Sequence, residues 1–213
     1  MCEVMAMIGK KRWFATVYMF VLTGVCSSAV IGLSRLTAER VRANAELAFE
    51  QAVLEVLPGL YEPGLGGLQV HRRFAEQVDG PTQSSGGAYV YAEGGAVVVY
   101  ALPFEGQGFW APIRGVIGIR ADRRTITGIA FYDQNETPGL GARITEPEFR
   151  DPFEGRVLAE QGKLLEFRRP GEMLSANEVH AVTGATQTST RLEKIINDAL
   201  IQWRGRTSGR AGS

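Results

Sequence analysis

Four hydroxyl side chains crowd one glycine in the segment Thr183-Gly184-Ala185-Thr186-Gln187-Thr188-Ser189. Leu192, Ile195, Ile196 and Leu200 follow at helical spacing, so the next segment is an amphipathic helix. Thr190, with Glu193 three residues later, reads as a capping box and predicts a helix start near Thr190. Val179, Ala181 and Val182 precede the run and suggest a short extended stretch. The local expectation is therefore strand, tight turn and helix N-terminus. Free backbone N–H groups and the positive end of a helix dipole suit a phosphate at such a place. The plainer reading of the same residues is a hydroxyl-rich helix cap.

Taken with a second block, Glu136-Thr137-Pro138-Gly139-Leu140-Gly141, this segment resembles the FMN-binding domain family. The family includes the C component of the sodium-pumping NADH:quinone oxidoreductase and the G component of the Rnf ferredoxin:NAD oxidoreductase. The resemblance covers roughly residues 10–203. It implies that Thr186 carries FMN through a phosphoester bond, attached by a separate flavin transferase. It also implies an extracytoplasmic electron-carrier subunit of a larger ion-translocating membrane complex, without stand-alone catalysis. The short chain leans toward the Rnf-like component, with the sodium-pump component as the alternative. One position departs from the family pattern, since His180 stands where an aspartate is usual, six residues before Thr186. A histidine is no electrostatic substitute for a carboxylate. A membrane-anchored structural or binding module without flavin is the rival from another class, and His180 is its best support.

The residues expected to hold the cofactor are Thr186 as covalent acceptor, with Thr183, Gly184, Ala185, Thr188 and Ser189 around it. Glu136, Thr137, Gly139 and Leu140 join them from the second block. Gly139 and Gly141 permit close backbone approach, Pro138 stiffens the loop, and Leu140 presses on a ring. Glu136 serves either a ligand or a motif hydroxyl, or it caps its own loop. Between the two blocks and the chain start, Gly106-Gln107-Gly108-Phe109-Trp110-Ala111-Pro112 reads as an aromatic loop with glycine hinges. It offers an apolar wall for a flat ring, or its aromatics plug the core.

Positioning these residues falls to one membrane helix and one α+β domain. Trp13–Leu33 holds no charged residue and is long enough to cross a bilayer core of about 30 Å. Lys10, Lys11 and Arg12 precede it and favour an inside N-terminus, sending the main domain outside. A cleaved signal peptide fits less well, because the apolar run is long and no small-x-small site ends it. The expected organisation is a cytoplasmic N-terminus at 1–12, a transmembrane helix at 13–33, an extracytoplasmic domain at 34–203 and a disordered tail at 204–213. Within the domain, Thr37–Leu57 reads as a helix ended by Pro58-Gly59, and Tyr61–Gly67 as a loop. Ala88–Ala92 with Ala96–Leu102, and Val116–Arg120 with Ile126–Asp133, read as two antiparallel hairpins. Along the last of these strands, alternation places Ile126, Gly128, Ala130 and Tyr132 on one face and Thr127, Ile129, Phe131 and Asp133 on the other. Pro147–Gly155 looks irregular, Leu164–Arg168 reads as a further strand, and the last helix is expected over Thr190–Trp203.

Composition excludes several classes. Lys plus Arg number 23 and Asp plus Glu 23, so no basic stripe points to nucleic acid. The 2 cysteines, Cys2 and Cys26, lie at or inside the anchor, which leaves no disulfide framework and no cysteine metal site. His71 and His180 are too few for a histidine metal cluster. Asp151 with Glu154 is a solvated loop pair rather than a glycosidase-like site.

Overall fold

The computed structural model describes residues 2–208, with side chains from 13 to 207. Helix α1 runs Cys2–Glu55 without interruption. Its residues up to Asn44 form one compact unit, and a second unit begins at Ala45. Residues 34–44, which follow the apolar run ending at Leu33, continue the same helix.

The first unit is a helix long and apolar enough to cross a membrane. Trp13, Phe14, Phe20 and Leu36 stand exposed on it. A helix satisfies its own backbone, so apolar side chains all round cost nothing in a lipid solvent.

The second unit is built on an antiparallel meander. Its strands are β1 (Val78–Asp79), β2 (Tyr89–Glu93), β3 (Ala96–Gln107), β4 (Pro112–Arg120) and β5 (Ile126–Asp133), in that spatial order. Both faces of the sheet are covered. On one, Val99, Ala101, Val116 and Ala130 pack with Ala52 and Val53 in the last turn of α1 and with Val56 and Leu57 just past it. On the other, Tyr100, Leu102, Phe104, Ile117 and Ile129 pack with Leu192, Ile196, Leu200 and Trp203 of helix α4 (Thr186–Ser208). This double burial explains why β3 and β4 read as nearly continuous apolar runs. The alternation expected along β5 breaks at its start. Ile126 pairs with Ile119 and Gly128 with Gly118, so Thr127 is an extra residue and Ile126 turns to the same core as Ile129. Thr127 Oγ1 donates to the Val56 carbonyl at 2.6 Å, which accounts for the bulge.

Several elements differ from their sequence expectation. Helix α2 (Gly67–Gln77) forms where the sequence reading places no element; it buries Val70 and sets Phe74 edge-on to Phe49. Pro147–Gly155 contains helix α3 (Pro147–Arg150) and a 3-10 turn at Asp151–Phe153. The expected strand at Leu164–Arg168 shortens to β6 (Glu166–Arg168), which pairs in parallel with β7 (Glu178–His180). Helix α4 begins four residues before the expected Thr190 and continues through Ser208, so residues 204–208 of the expected tail are helical. Residues 209–213 of that tail lie outside the described residues. Beyond Ala101, β3 has no ladder partner on its β2 side among the described residues. Pro103, lacking an N–H, and charged Glu105 occupy that open edge and discourage stray pairing.

Candidate functional site

The turn into α4 shows how the hydroxyl run is used. Gly184 has φ +78°, a conformation that L side chains rarely adopt. The Ala185 N–H donates to the Val182 carbonyl at 3.1 Å, and the Ala185 carbonyl accepts from the Ser189 N–H at 2.9 Å. That second bond is the first of the helix, so α4 starts at Thr186. The capping box expected at Thr190 does not form. Glu193 instead binds Lys163 Nζ at 2.6 Å and the Phe167 N–H at 2.9 Å, tying α4 to β6. Ser189 is buried, and its hydroxyl accepts the Val182 N–H at 3.1 Å. Thr188 is buried too, whereas Thr183 and Thr186 remain exposed.

Glu136 decides how the other two segments meet the turn. Its carboxylate is only 5% exposed. One oxygen accepts the Thr188 hydroxyl at 2.7 Å, and the other accepts the Trp110 N–H at 3.0 Å. The side chain of Gln134 receives the Glu136 N–H at 2.8 Å. A single carboxylate thus joins the Glu136–Gly141 loop, the aromatic segment and the first turn of α4. Two glycines make room for it. A Cβ at Gly108 would lie 2.6 Å from one Glu136 oxygen, and a Cβ at Gly141 would lie 2.6 Å from the Thr188 hydroxyl.

The aromatic segment is a tight hairpin rather than a loop between hairpins. β3 and β4 pair out to Gln107 and Pro112, and the Gly108 N–H closes on the Ala111 carbonyl at 2.9 Å. Phe109 and Trp110 form the tip, edge to face with centroids 4.9 Å apart. Neither plugs the core, since they are 43% and 66% exposed.

These pieces enclose a cleft of about 380 Å³, inside the range of roughly 300–1,000 Å³ usual for small-molecule sites. Phe109, Trp110 and Leu140 supply its apolar walls. Thr137, Gly184, Ala185, Thr186 and Thr188 of the expected site also line it, together with Gly141 and Gln187. Glu136 supports the cleft from beneath. Gly139, with φ +72°, turns its own loop instead of lining the cleft. Ser189 locks the strand before the helix, and Thr183 faces a separate hollow beside His180 and Arg143. His180 is exposed at the end of β7, where a ring nitrogen lies 3.0 Å from the Glu172 carbonyl oxygen. Arg191, absent from the expected site, donates to the Gly108 carbonyl at 3.2 Å and lies 5.9 Å from the Phe109 ring centre. Nothing in its spacing marks it, because the contact depends on the hairpin bringing Gly108 to α4.

The cleft has the parts a flavin mononucleotide needs. Thr186 is the first residue of a 23-residue helix, whose opening N–H groups have no acceptor within the helix and whose dipole places about half a positive charge there. Flat apolar walls face it across the cleft. Residues 108–201 match the family model described as FMN-binding domain.

Residues 108–201 belong to the FMN-binding domain family.

The relatives of this FMN-binding domain are consistent in kind. The C component of the Na(+)-translocating NADH-quinone reductase from Pasteurella multocida is 32% identical over 147 residues, 68% of this chain and 51% of that protein. Its counterpart from Neisseria meningitidis serogroup A is 36% identical over 118 residues, 54% and 44% of the two chains. The chain thus spans about half the length of the curated relatives it matches. Among solved structures, the same component from Parabacteroides distasonis superimposes with a TM-score of 0.65 at 20% identity, covering 81% of this chain and 96% of that one. NqrC from Shewanella oneidensis gives 0.61, also at 20% identity, over 79% and 99%. These two likenesses show the shared α+β fold. The named relatives favour the sodium-pump alternative over the Rnf-like reading.

Proposed function

We propose that this chain is a membrane-anchored flavoprotein subunit, of the NqrC type found in sodium-translocating NADH-quinone reductases, carrying FMN in phosphoester linkage to Thr186. The observation that carries the proposal is an exposed threonine hydroxyl at the first turn of α4, inside a cleft walled by Phe109, Trp110 and Leu140. The apolar span from Trp13 is the anchor, and Lys10–Arg12 before it favours a periplasmic domain. Outside the cytoplasm a dissociable cofactor is lost by dilution, so a covalent tether keeps its local concentration high.

Bound there, the isoalloxazine supplies the electron chemistry, remote from the ester that fixes it. The chain's own residues do the rest. Thr186 provides the oxygen for attachment by a flavin transferase and is not a turnover nucleophile. Glu136 and Thr188 hold the two sides of the cleft at a fixed spacing. Phe109, Trp110 and Leu140 would offer apolar contact to a flat ring held in the cleft. A flavin held there would exchange electrons with other subunits of the same membrane complex.

Mass spectrometry of the protein purified from its native host tests this reading. The peptide Thr183–Arg191 carries a flavin mononucleotide increment, and Thr186→Ala removes it. A full flavin load retained by Thr186→Ala would refute the assignment. A colourless protein of unmodified mass favours the flavin-free binding module, for which exposed His180 is the one supporting feature. Co-purification in mild detergent separates membership of a complex from service as a free-standing carrier.

A further inference from the structure

We propose that Arg191 is a positioning residue that clamps the Phe109–Trp110 hairpin tip to helix α4 and raises the reduction potential of the flavin held in the cleft. The second half of this inference rests on the flavin reading above; the first half does not. The β3–β4 ladder ends at the pair Gln107 and Pro112, so the tip projects beyond the sheet. Two tethers hold it to other elements. Glu136 takes the Trp110 N–H at 3.0 Å, and Arg191 donates to the Gly108 carbonyl at 3.2 Å while its guanidinium stands 5.9 Å from the centre of the Phe109 ring. Arg191 belongs to the same helix that opens with Thr186, five residues earlier. The clamp therefore fixes the distance between the wall of the cleft and the helix start across from it.

The chemistry of Arg191 suits this task. It enters no ion pair among the described residues, whereas Arg114, Arg143, Arg150 and Arg168 each pair with a carboxylate. Glu105 and Asp198 share the hollow it lines, and Glu136 holds the other side of the same tip, but none of them forms an ion pair with it among the described residues. A planar guanidinium can donate to a carbonyl and lie against an aromatic ring at once, which an ammonium does poorly. Reduction of a flavin adds two electrons with one or two protons, and a cation near the cleft favours the anionic reduced form that has taken up only one. The effect is therefore larger in mildly alkaline solution, where the reduced flavin is anionic, than in mildly acid solution, where protons balance the added electrons.

The test uses the full-length protein from its native host, in detergent, as Arg191→Lys, Arg191→Gln and Arg191→Met beside the parent. The readouts are intact mass, flavin midpoint potential, melting temperature and amide exchange at Phe109 and Trp110. All four proteins are expected to carry flavin and to melt at nearly the same temperature. Arg191→Gln and Arg191→Met shift the potential negative, by more at about pH 8 than at about pH 6, and Arg191→Lys restores most of it. Exchange at Trp110 accelerates several-fold in Arg191→Met. Equal potentials across four flavin-loaded proteins would overturn the electrostatic half, and equal exchange in the parent and Arg191→Met would overturn the clamp. If the parent carries no flavin, the attachment reading and the effect on potential both fail, and amide exchange alone still decides the clamp. Loss of flavin from Arg191→Met that Arg191→Lys does not repair, with melting unchanged, supports the clamp.

Discussion

Glu136 carries the local stability of the cleft because three segments converge on its two oxygens. Replacing it with alanine leaves the buried Thr188 hydroxyl and the Trp110 N–H without their acceptors. Such orphaned groups cost about 1–3 kcal/mol, so Glu136→Ala should lower the urea midpoint accordingly. Glu136→Gln should lose less. The amide oxygen can keep the Trp110 bond, and the amide nitrogen can donate to the Thr188 oxygen once its hydroxyl rotates. The same comparison separates the two sequence readings of Glu136. A residue that only capped its own loop would not alter amide exchange at Trp110. The sequence leaves those readings open because the partners lie 26 and 52 residues away.

At the scale of elements, the short parallel pair β6–β7 aims the chain into the turn before Thr186. It is held by charge as much as by its ladder. Arg168 donates to Glu178 through Nε at 2.8 Å and through a terminal nitrogen at 2.6 Å, and the Ser175 N–H reaches the other carboxylate oxygen at 2.7 Å. The Arg168 guanidinium, followed by the Ser175 N–H, holds the Glu178 carboxyl below its ordinary 4.5. A carboxyl depressed in the folded state contributes stability that is fully present above its unfolded value and is lost as pH falls through the folded one. The melting temperature should therefore decline as pH drops below about 4.5, the ordinary value, and Glu178→Gln should flatten that part of the decline. Thermal melts of both proteins between neutral and acid pH provide the check. The lengths of β6 and β7 are not legible in the sequence, since each is three residues long and apolar residues run past one end, Leu164 and Leu165 before β6 and Ala181 and Val182 after β7.

For the whole molecule, the division at Asn44 and Ala45 separates a helical segment from the packed unit that follows it. The core of the second unit draws its α1 residues only from Ala52 onward, with Leu47 and Phe49 packed against it. A protein beginning at Ala45 should accordingly stay soluble without detergent and unfold in one cooperative transition by urea-monitored fluorescence. Beginning instead at Gly59 removes Val53, Leu54 and Val56 from the core. Losing several fully buried aliphatic side chains, each worth about 1.5–3 kcal/mol, should abolish that transition. The boundary expected after Leu33 marks the end of the apolar run, but it does not mark the start of packing.

The apolar span, the antiparallel strand pairs and the two motif blocks were legible in the chain itself, because each depends on local composition or on spacing within one segment. Hydropathy over Trp13–Leu33 and the residue types of β5 need no partner to be read. The helix start at Thr186, the bulge at Thr127 and the joining of Glu136 to Thr188 were decided by tertiary contacts. A capping box at Thr190 is a sound local choice until β6 claims Glu193 through Lys163 and the Phe167 N–H. Likewise, a glycine-flanked aromatic pair is an ordinary loop until Glu136 and Arg191 arrive from distant positions to hold it. Backbone propensity acts over a few residues, whereas a cleft exists only where separate segments are packed together.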